Sequence, residues 1–252
     1  MQITLQTFLI ICPLVFIAGF VDAIGGGGGL ISIPAFLMAG LPPHAAVATN
    51  KMSSVGGTSL ATYHFCKNKC VSLKLSIPTV ILAVVGAYIG ANISLLVSDK
   101  IMMVVLFVLL PVSALLVLNK KLFNDKGKDI VVMDKKTFIS AMLSSLVIGM
   151  YDGFYGPGTG TFLIIAFTVF AGLSMKSANG QAKVINLTTN ITSLIVFLYN
   201  DQVIIPIGIA ACVSNMLGGC IGARLALKNG AKIVKPTILF VLLMLLIKTI
   251  ID

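Results

Sequence analysis

Apolar stretches separated by short polar connections run along almost the whole chain. A membrane-spanning helix needs about 20 apolar residues, and most of these stretches approach or exceed that length. Two of them, residues 30–41 and 160–173, are too short to cross a bilayer, so we expect half-helices or re-entrant segments there. The ten stretches are residues 5–24, 30–41, 45–66, 75–97, 100–118, 137–153, 160–173, 177–198, 203–226 and 232–251.

A polar stretch rich in lysine divides these segments five and five. It covers residues 119–136 and holds six lysines. Cytoplasmic loops of membrane proteins carry an excess of lysine and arginine. We therefore expect a first membrane repeat at residues 1–118, a cytoplasmic linker at 119–136 and a second membrane repeat at 137–252.

The two halves repeat one another in sequence. Asp22, which precedes a glycine run, corresponds to Asp152 at an offset of 130 residues. Lys51 corresponds to Lys183 at an offset of 132, and the segments around them align without a gap. The offset of 132 also relates two pairs of glycines, Gly86 and Gly90 in the first half and Gly218 and Gly222 in the second. A near-constant offset in three separate blocks indicates an internal duplication.

The loop charges favour opposite orientations for the two halves. In the first half, the loop after the third segment carries Lys67, Lys69 and Lys74, whereas the matching loop at residues 199–202 carries no cation. In the second half the cations follow the fourth segment, at Arg224, Lys228, Lys232 and Lys235. Since cations mark cytoplasmic loops, this exchange predicts an inverted repeat. A parallel arrangement of the halves, with four spans in each, remains an alternative if each short segment forms a hairpin with the segment before it.

Composition places the chain in a membrane. Hydrophobic residues make up 58% of it and charged residues 10%, against about 45–50% and about 25% in soluble proteins. We expect an all-α, polytopic protein of the cytoplasmic membrane, with the lipid bilayer as its surroundings. The net charge of +10 does not indicate nucleic-acid binding, because the lysines fall between apolar segments instead of interleaving with aromatic residues.

Glycine runs lie between a long and a short apolar segment in each half. Glycine turns direct backbone N–H groups into a cavity, and the following helix adds the positive end of its dipole. Interrupted helices at equivalent positions mark the substrate site of many transporters. The sequence therefore predicts a site for a small anion at Gly25, Gly26, Gly27, Gly28 and Gly29 and at Gly156, Gly158, Thr159 and Gly160.

Charged and amide side chains inside the apolar segments extend this predicted site. Lys51 and Lys183 each lie about six residues into a segment, and a cation at such depth needs protein, water or an anion beside it. Asp22 and Asp152 are candidates for neutralising the lysines, capping the short helices or accepting a coupling proton. Amides that orient substrate oxygens are expected from Asn50, Asn186 and Asn190.

Enzymatic and cofactor-binding signatures do not emerge from the sequence. Cys66 and Cys70 have a C-x3-C spacing, but neither a second pair nor a histidine cluster completes a metal site. The glycine runs lack the Gly-Lys-Ser/Thr of a nucleotide-binding loop. We expect a protein without cofactor, metal or catalytic residues.

Four blocks of sequence resemble the TauE/SafE family of sulfite and organosulfonate exporters. Residues 19–34 read GFVDAIGGGGGLISIP and residues 46–51 read AVATNK. In the second half, residues 149–160 read GMYDGFYGPGTG and residues 178–186 read ANGQAKVIN. The resemblance implies a cytoplasmic-membrane carrier, with sulfite or organosulfonates such as sulfoacetate as its substrate class.

The residues and the resemblance together predict a secondary carrier that exports a small sulfur-containing anion by alternating access. Two other functions stay open at this point. An anion channel would show flux that neither saturates nor responds to a proton gradient. A membrane-embedded enzyme would need a duplicated histidine, cysteine or serine constellation, which the sequence does not offer.

Overall fold

Eight helices make up most of the computed structural model, which describes residues 4–105, 108 and 134–229. A further helical stretch begins at residue 99. Three predicted segments lie wholly or mostly outside the described residues. They are the span at 100–118, the linker at 119–136, of which only residues 134–136 are described, and the span at 232–251. The helices are α1 (Leu5–Gly25), α2 (Gly29–Met38), α3 (Pro43–Lys67), α4 (Leu73–Leu96), α5 (Lys135–Phe154), α6 (Thr159–Val169), α7 (Met175–Tyr199) and α8 (Ile205–Asn229).

Within the described part of the chain, five helices are long and apolar enough to cross a membrane, namely α1, α4, α5, α7 and residues Ile205–Lys228 of α8. Many of their large apolar side chains are exposed on the outside of the bundle: on α4, Ile77 and Ile81 are 64% and 60% exposed. The small residues Ala83 and Ala87 of the same helix are fully buried. Large residues toward lipid and small residues toward neighbouring helices are typical of membrane bundles. The predicted all-α, polytopic membrane fold is confirmed.

The duplicated glycine pairs bring two helix pairs into close contact. A Cβ atom on Gly90 would lie 2.0 Å from the carbonyl oxygen of Met150, so α4 and α5 touch backbone to backbone there. In the other half, a Cβ atom on Gly218 would lie 2.0 Å from the carbonyl oxygen of Phe16, where α8 meets α1. Each half thus packs the fourth helix of its repeat against the first helix of the other repeat.

The equivalent helices α3 and α7 run antiparallel. Thr62 Oγ1 donates to the carbonyl oxygen of Lys183 at 3.1 Å, and just beyond the end of α3 the backbone of Cys70 lies against Gly180. Rising residue numbers on α3 therefore meet falling numbers on α7. An inverted repeat requires this relation between equivalent helices, and the inverted repeat itself stays a prediction.

The helices α3 and α8 run parallel and end on the same face of the protein. Gly56 contacts Cys212 near the middle of the pair, and His64 lies beside Cys220 nearer their ends. The cations that follow α3 and those at the end of α8 consequently share one face. The excess of positive charge in these segments predicts that both groups lie in the cytoplasm.

The two short helices fold back toward the helix that precedes them. With 10 and 11 residues, α2 and α6 are roughly 15 and 17 Å long, about half the thickness of a bilayer core. Phe36 of α2 packs with Ile11 and Val15 of α1, which makes the two helices an antiparallel hairpin. Soon after each short helix a glycine with positive φ turns the chain, Gly40 at 86° and Gly172 at 68°.

We predict that the loop after α3 and the equivalent loop after α7 lie on opposite sides of the membrane. Cys66, at the end of α3, is exposed, and Asn200, just after α7, is exposed at the opposite end of the antiparallel pair. A membrane-impermeant maleimide should label Cys66 only from the cytoplasm. In a Cys66→Ser background, Asn200→Cys should be labelled only from outside. Labelling of both positions from the same side would show that the halves are parallel.

Candidate functional site

Two glycine turns interrupt the helices at equivalent positions. The first, between α1 and α2, holds Gly26 and Gly27 at φ values of 79° and 88°. The second, between α5 and α6, holds Gly156 and Gly158 at 99° and 85°. Other residues rarely adopt this region of backbone conformation, which explains why the runs are glycine. Each turn delivers the N-terminus of a short helix to the interior of the bundle.

The turns pack directly against one another across the two halves. A Cβ atom on Gly26 would lie 2.1 Å from the backbone nitrogen of Thr161, and one on Gly160 would lie 2.8 Å from the Cα of Gly26. Thr161 Oγ1 donates to the carbonyl oxygen of Gly25 at 2.9 Å. The N-terminal ends of α2 and α6 therefore meet at the interface between the halves.

Two buried ion pairs cross that interface in opposite senses. Lys51 of the first half lies 3.0 Å from Asp152 Oδ1 of the second, and Lys183 of the second lies 3.1 Å from Asp22 Oδ2 of the first. Each amine also donates to the backbone carbonyl oxygen of its aspartate. The lysine side chains are 1% and 0% exposed, so both ammonium groups are withdrawn from water and lipid. Each half thus supplies the counter-ion for the lysine of the other.

Each aspartate also holds the glycine turn of its own half. Asp22 Oδ1 accepts from the backbone N–H of Gly28 at 3.3 Å. Asp152 Oδ1 accepts from Thr159 Oγ1, the first residue of α6, at 2.7 Å. One carboxylate therefore fixes a turn in its own half and a lysine in the other, so the two turns and the two lysines form one connected network.

The two carboxylates differ in the hydrogen-bond partners of their oxygens and in the exposure of their side chains. Both oxygens of Asp22 have a partner, and its side chain is 17% exposed. Asp152 is 2% exposed, and its Oδ2 is buried without a hydrogen-bond partner in the part of the chain that the structure describes. A buried polar atom without a partner is uncommon and often marks a functional site.

A small polar cavity lies between the turns and the lysine-bearing helices. Its volume is about 20 Å³, which is room for about one water molecule. Polar atoms dominate its wall, and it draws residues from both halves. It is lined by Asp22, Gly29, Asn50, Lys51, Ser54, Asp152, Gly156, Gly158, Thr159, Gly160, Asn186 and Asn190.

Amide side chains complete the wall of the cavity. Ser32 Oγ donates to Asn50 Oδ1 at 2.5 Å, which orients that amide. Asn190 Nδ2 donates to Asn186 Oδ1 at 3.2 Å, one helical turn away on α7. The lining thus combines ammonium, amide, hydroxyl and backbone groups with two carboxylates, a set that suits a small polar ligand.

Most residues singled out in the sequence meet at this cavity. Nine of the proposed binding residues line it, as do Asp22 and Asp152. Gly25, Gly26, Gly27 and Gly28 do not line the cavity, and Lys183 is paired with Asp22, which does line it. Ser54, one helical turn from Asn50 on α3, also lines the cavity.

A second, wider pocket lies where α3 and α8 end. It encloses about 510 Å³ and is lined by His64, Lys67, Asn68, Arg224, Leu227 and Lys228. Its ionisable side chains are all basic or imidazole groups, so it presents positive potential at that face. Clefts of one charge sign raise the local concentration of oppositely charged solutes.

Comparison with known proteins identifies relatives over nearly the whole length. A family model described as Sulfite exporter TauE/SafE matches residues 11–249. A probable membrane transporter protein, ORF9, from Sinorhizobium sp. is 35% identical over 94% of this chain and 90% of its own. A probable membrane transporter protein from Haemophilus influenzae is 32% identical over 100% and 98%, and YfcA from Escherichia coli K12 is 34% identical over 89% and 82%. No solved structure matches the chain.

We predict that the two ion pairs contribute unequally to stability. Lys51→Met leaves Asp152 buried and unpaired, which should lower the free energy of unfolding by about 3–5 kcal/mol. Lys183→Met should lower it less, because the side chain of Asp22 is 17% exposed, against 2% for Asp152. Heating followed by size-exclusion chromatography measures the order of stability of the variants. This method is chosen because the chain has no tryptophan whose fluorescence could report unfolding.

Two control variants separate charge pairing from general damage. The exposed Lys74→Met should change stability by less than about 0.5 kcal/mol. The double variant Lys51→Met/Asp152→Asn removes the orphaned charge and should recover most of the loss. Equal stability of Lys51→Met and wild type would show that the buried pair does not join the halves.

Proposed function

Since the chain belongs to the sulfite exporter TauE/SafE family, we propose that this membrane transporter is a secondary carrier that exports a small sulfur-containing anion by alternating access. The relatives are named as probable membrane transporters, and only the family description names sulfite. Substrate class and mechanism therefore depend on the site. We place the carrier in the cytoplasmic membrane of a bacterium, with residues 119–136 on the cytoplasmic side.

The observation that carries this proposal is the pair of crossed lysine–aspartate contacts around one polar cavity. Both pairs join one half to the other, so any relative movement of the halves must loosen or exchange them. A substrate between the halves can take the place of a carboxylate beside Lys51 during that movement. A structural scaffold has no use for two ammonium groups at this depth, which are costly to bury.

The chemistry of the wall favours an oxyanion. Three oxygens of a sulfite or sulfonate group accept hydrogen bonds, and the site offers the amine of Lys51 and the amides of Asn50, Asn186 and Asn190. The N-termini of α2 and α6 add the positive ends of two helix dipoles. Ligands of this kind bind at interrupted helices of other transporters.

The present volume of the cavity fits a closed stage of the transport cycle. About 20 Å³ holds one water molecule, and a sulfonate needs several times as much. The halves must therefore separate to admit the anion. Because α3 and α7 are antiparallel, opening of the two halves toward one face of the membrane is structurally equivalent to opening toward the other face. Alternating access between inverted repeats requires this equivalence.

The basic pocket at the ends of α3 and α8 supports outward transport. Arg224, Lys67 and Lys228 lie on the face assigned to the cytoplasm and concentrate anions there before the halves open. Attraction of this kind weakens as salt rises, because exposed charges are screened. No catalytic step enters this mechanism.

We predict that purified protein in liposomes exchanges radiolabelled sulfite against unlabelled sulfite and that the flux saturates. Asn186→Ala and Asn190→Ala should lower the exchange at least tenfold, because both amides line the cavity. Asn92→Ala is the matched control, since that exposed amide lies on α4 away from the site, and it should leave exchange unchanged.

The substrate is identified by thermal stabilisation across a panel of sulfite, sulfoacetate, methanesulfonate, sulfate, chloride and acetate. A ligand of the native state raises the unfolding temperature by mass action, and the two asparagine variants should lose the shift. Flux that rises linearly with concentration and shows no exchange would identify a channel instead. Stabilisation by none of the sulfur anions would contradict the proposed substrate class.

A further inference from the structure

The four charged side chains at the interface sum to zero. Lys51 and Lys183 contribute two positive charges, and Asp22 and Asp152 contribute two negative ones. A monovalent anion that enters the cavity would leave one negative charge uncompensated among largely buried groups. Burying an unpaired charge is unfavourable, so the site as it stands does not favour an anion alone.

We propose that Asp152 takes up one proton when the anion binds, so that anion and proton cross the membrane together. This inference depends on the proposed function, since it concerns the same cavity and the same anion. The proton comes from solvent and forms an O–H bond at Oδ2 of Asp152. The occupied site then holds two lysines, one ionised aspartate and one anion, and its net charge is again zero.

The hydrogen bonds distinguish Asp152 from Asp22 as the acceptor of the proton. Both oxygens of Asp22 already accept hydrogen bonds, from Gly28 and Lys183. Oδ1 of Asp152 accepts from Lys51 and Thr159, whereas its Oδ2 is buried and has no hydrogen-bond partner among the described residues, although Asp152 lines the cavity. A proton on Oδ2 turns that atom into a donor for an oxygen of the anion, which removes the unsatisfied group.

Other ionisable groups near Asp152 do not compete for this role. From α3 it faces Lys51, and across the cavity it faces Asp22, which Lys183 of α7 neutralises. The helix α6 has no ionisable side chain, and those of α4, Lys74 and Tyr88, are exposed. The remaining neighbours are the phenols of Tyr151, which donates to the carbonyl oxygen of Pro157 at 2.6 Å, and Tyr155, which is fully buried.

Joint movement of one anion and one proton is electrically neutral. The membrane potential then neither drives nor opposes it, and the concentration gradients of the anion and the proton set the direction. Export proceeds whenever the excess of the anion inside outweighs the opposing proton gradient. Neutral coupling thus also prevents the carrier from discharging the membrane potential.

The first test counts protons in the wild-type protein. Calorimetric titration with methanesulfonate, which stays ionised throughout the working pH range, is repeated in buffers of different ionisation enthalpy. We expect about one proton taken up per anion and an affinity that falls about tenfold for each unit of rising pH. Binding with no proton uptake overturns this inference alone. No binding of methanesulfonate or of any sulfur anion at any pH overturns the proposed function, and this inference with it.

Variants then assign the proton to Asp152. Asp152→Asn removes the negative charge permanently, so methanesulfonate should bind with an affinity independent of pH and tighter than wild type at high pH. Asp201→Asn, which alters an exposed carboxylate on the α7–α8 loop, should keep the pH dependence of wild type. An unchanged slope in Asp152→Asn overturns the assignment.

An infrared difference spectrum tests the assignment without removing the carboxyl group. Adding methanesulfonate should produce the carbonyl stretching band of a protonated carboxyl. Thr159→Val deletes the hydrogen bond to Oδ1 of Asp152 and should shift the frequency of that band. A band at an unshifted frequency would place the proton elsewhere, with Asp22 the next candidate.

Discussion

Two buried ion pairs, each with one partner in either half, determine how this membrane protein is assembled. An ammonium group inside an apolar helix is tolerated only beside a counter-charge, water or a ligand. Lys51 and Lys183 find that counter-charge in the opposite half, so neither half can satisfy its own lysine. The same aspartates hold the glycine turns, and through them the charge pairing sets the positions of α2 and α6.

Close backbone packing allows these pairs to form. Side chains larger than hydrogen at Gly26 or Gly160 would push the two turns apart, and the distances between lysine and carboxylate would grow with them. Glycines play the same part at the α4–α5 and α1–α8 contacts, where helices touch through carbonyl oxygens. In a bilayer, contact between apolar side chains of two helices contributes little free energy, because lipid is equally apolar. Close backbone packing therefore supplies much of the free energy of helix association.

The sequence predicted the membrane fold, the short helices and most residues around the cavity. These predictions depend on hydropathy, glycine runs and charged residues within apolar segments, which are visible in the sequence and occur in both halves. It left open which aspartate each lysine meets, since the partners are 101 and 161 residues apart and only the packing decides between them. Nothing in the sequence indicates that Oδ2 of Asp152 lacks a hydrogen-bond partner among the described residues, because its counterpart Asp22 stands in a nearly identical motif. Only hydrogen-bond geometry separates the two.

The most direct test of an anion site between the halves is a crystal structure with selenite, the heavier analogue of sulfite. Selenium scatters anomalously and locates the ion without ambiguity. The account predicts a selenium peak in the cavity beside Lys51, Asn186 and Asn190, with the cavity enlarged around it. A peak confined to the basic pocket at Arg224 and Lys228, with the cavity unchanged, would contradict it.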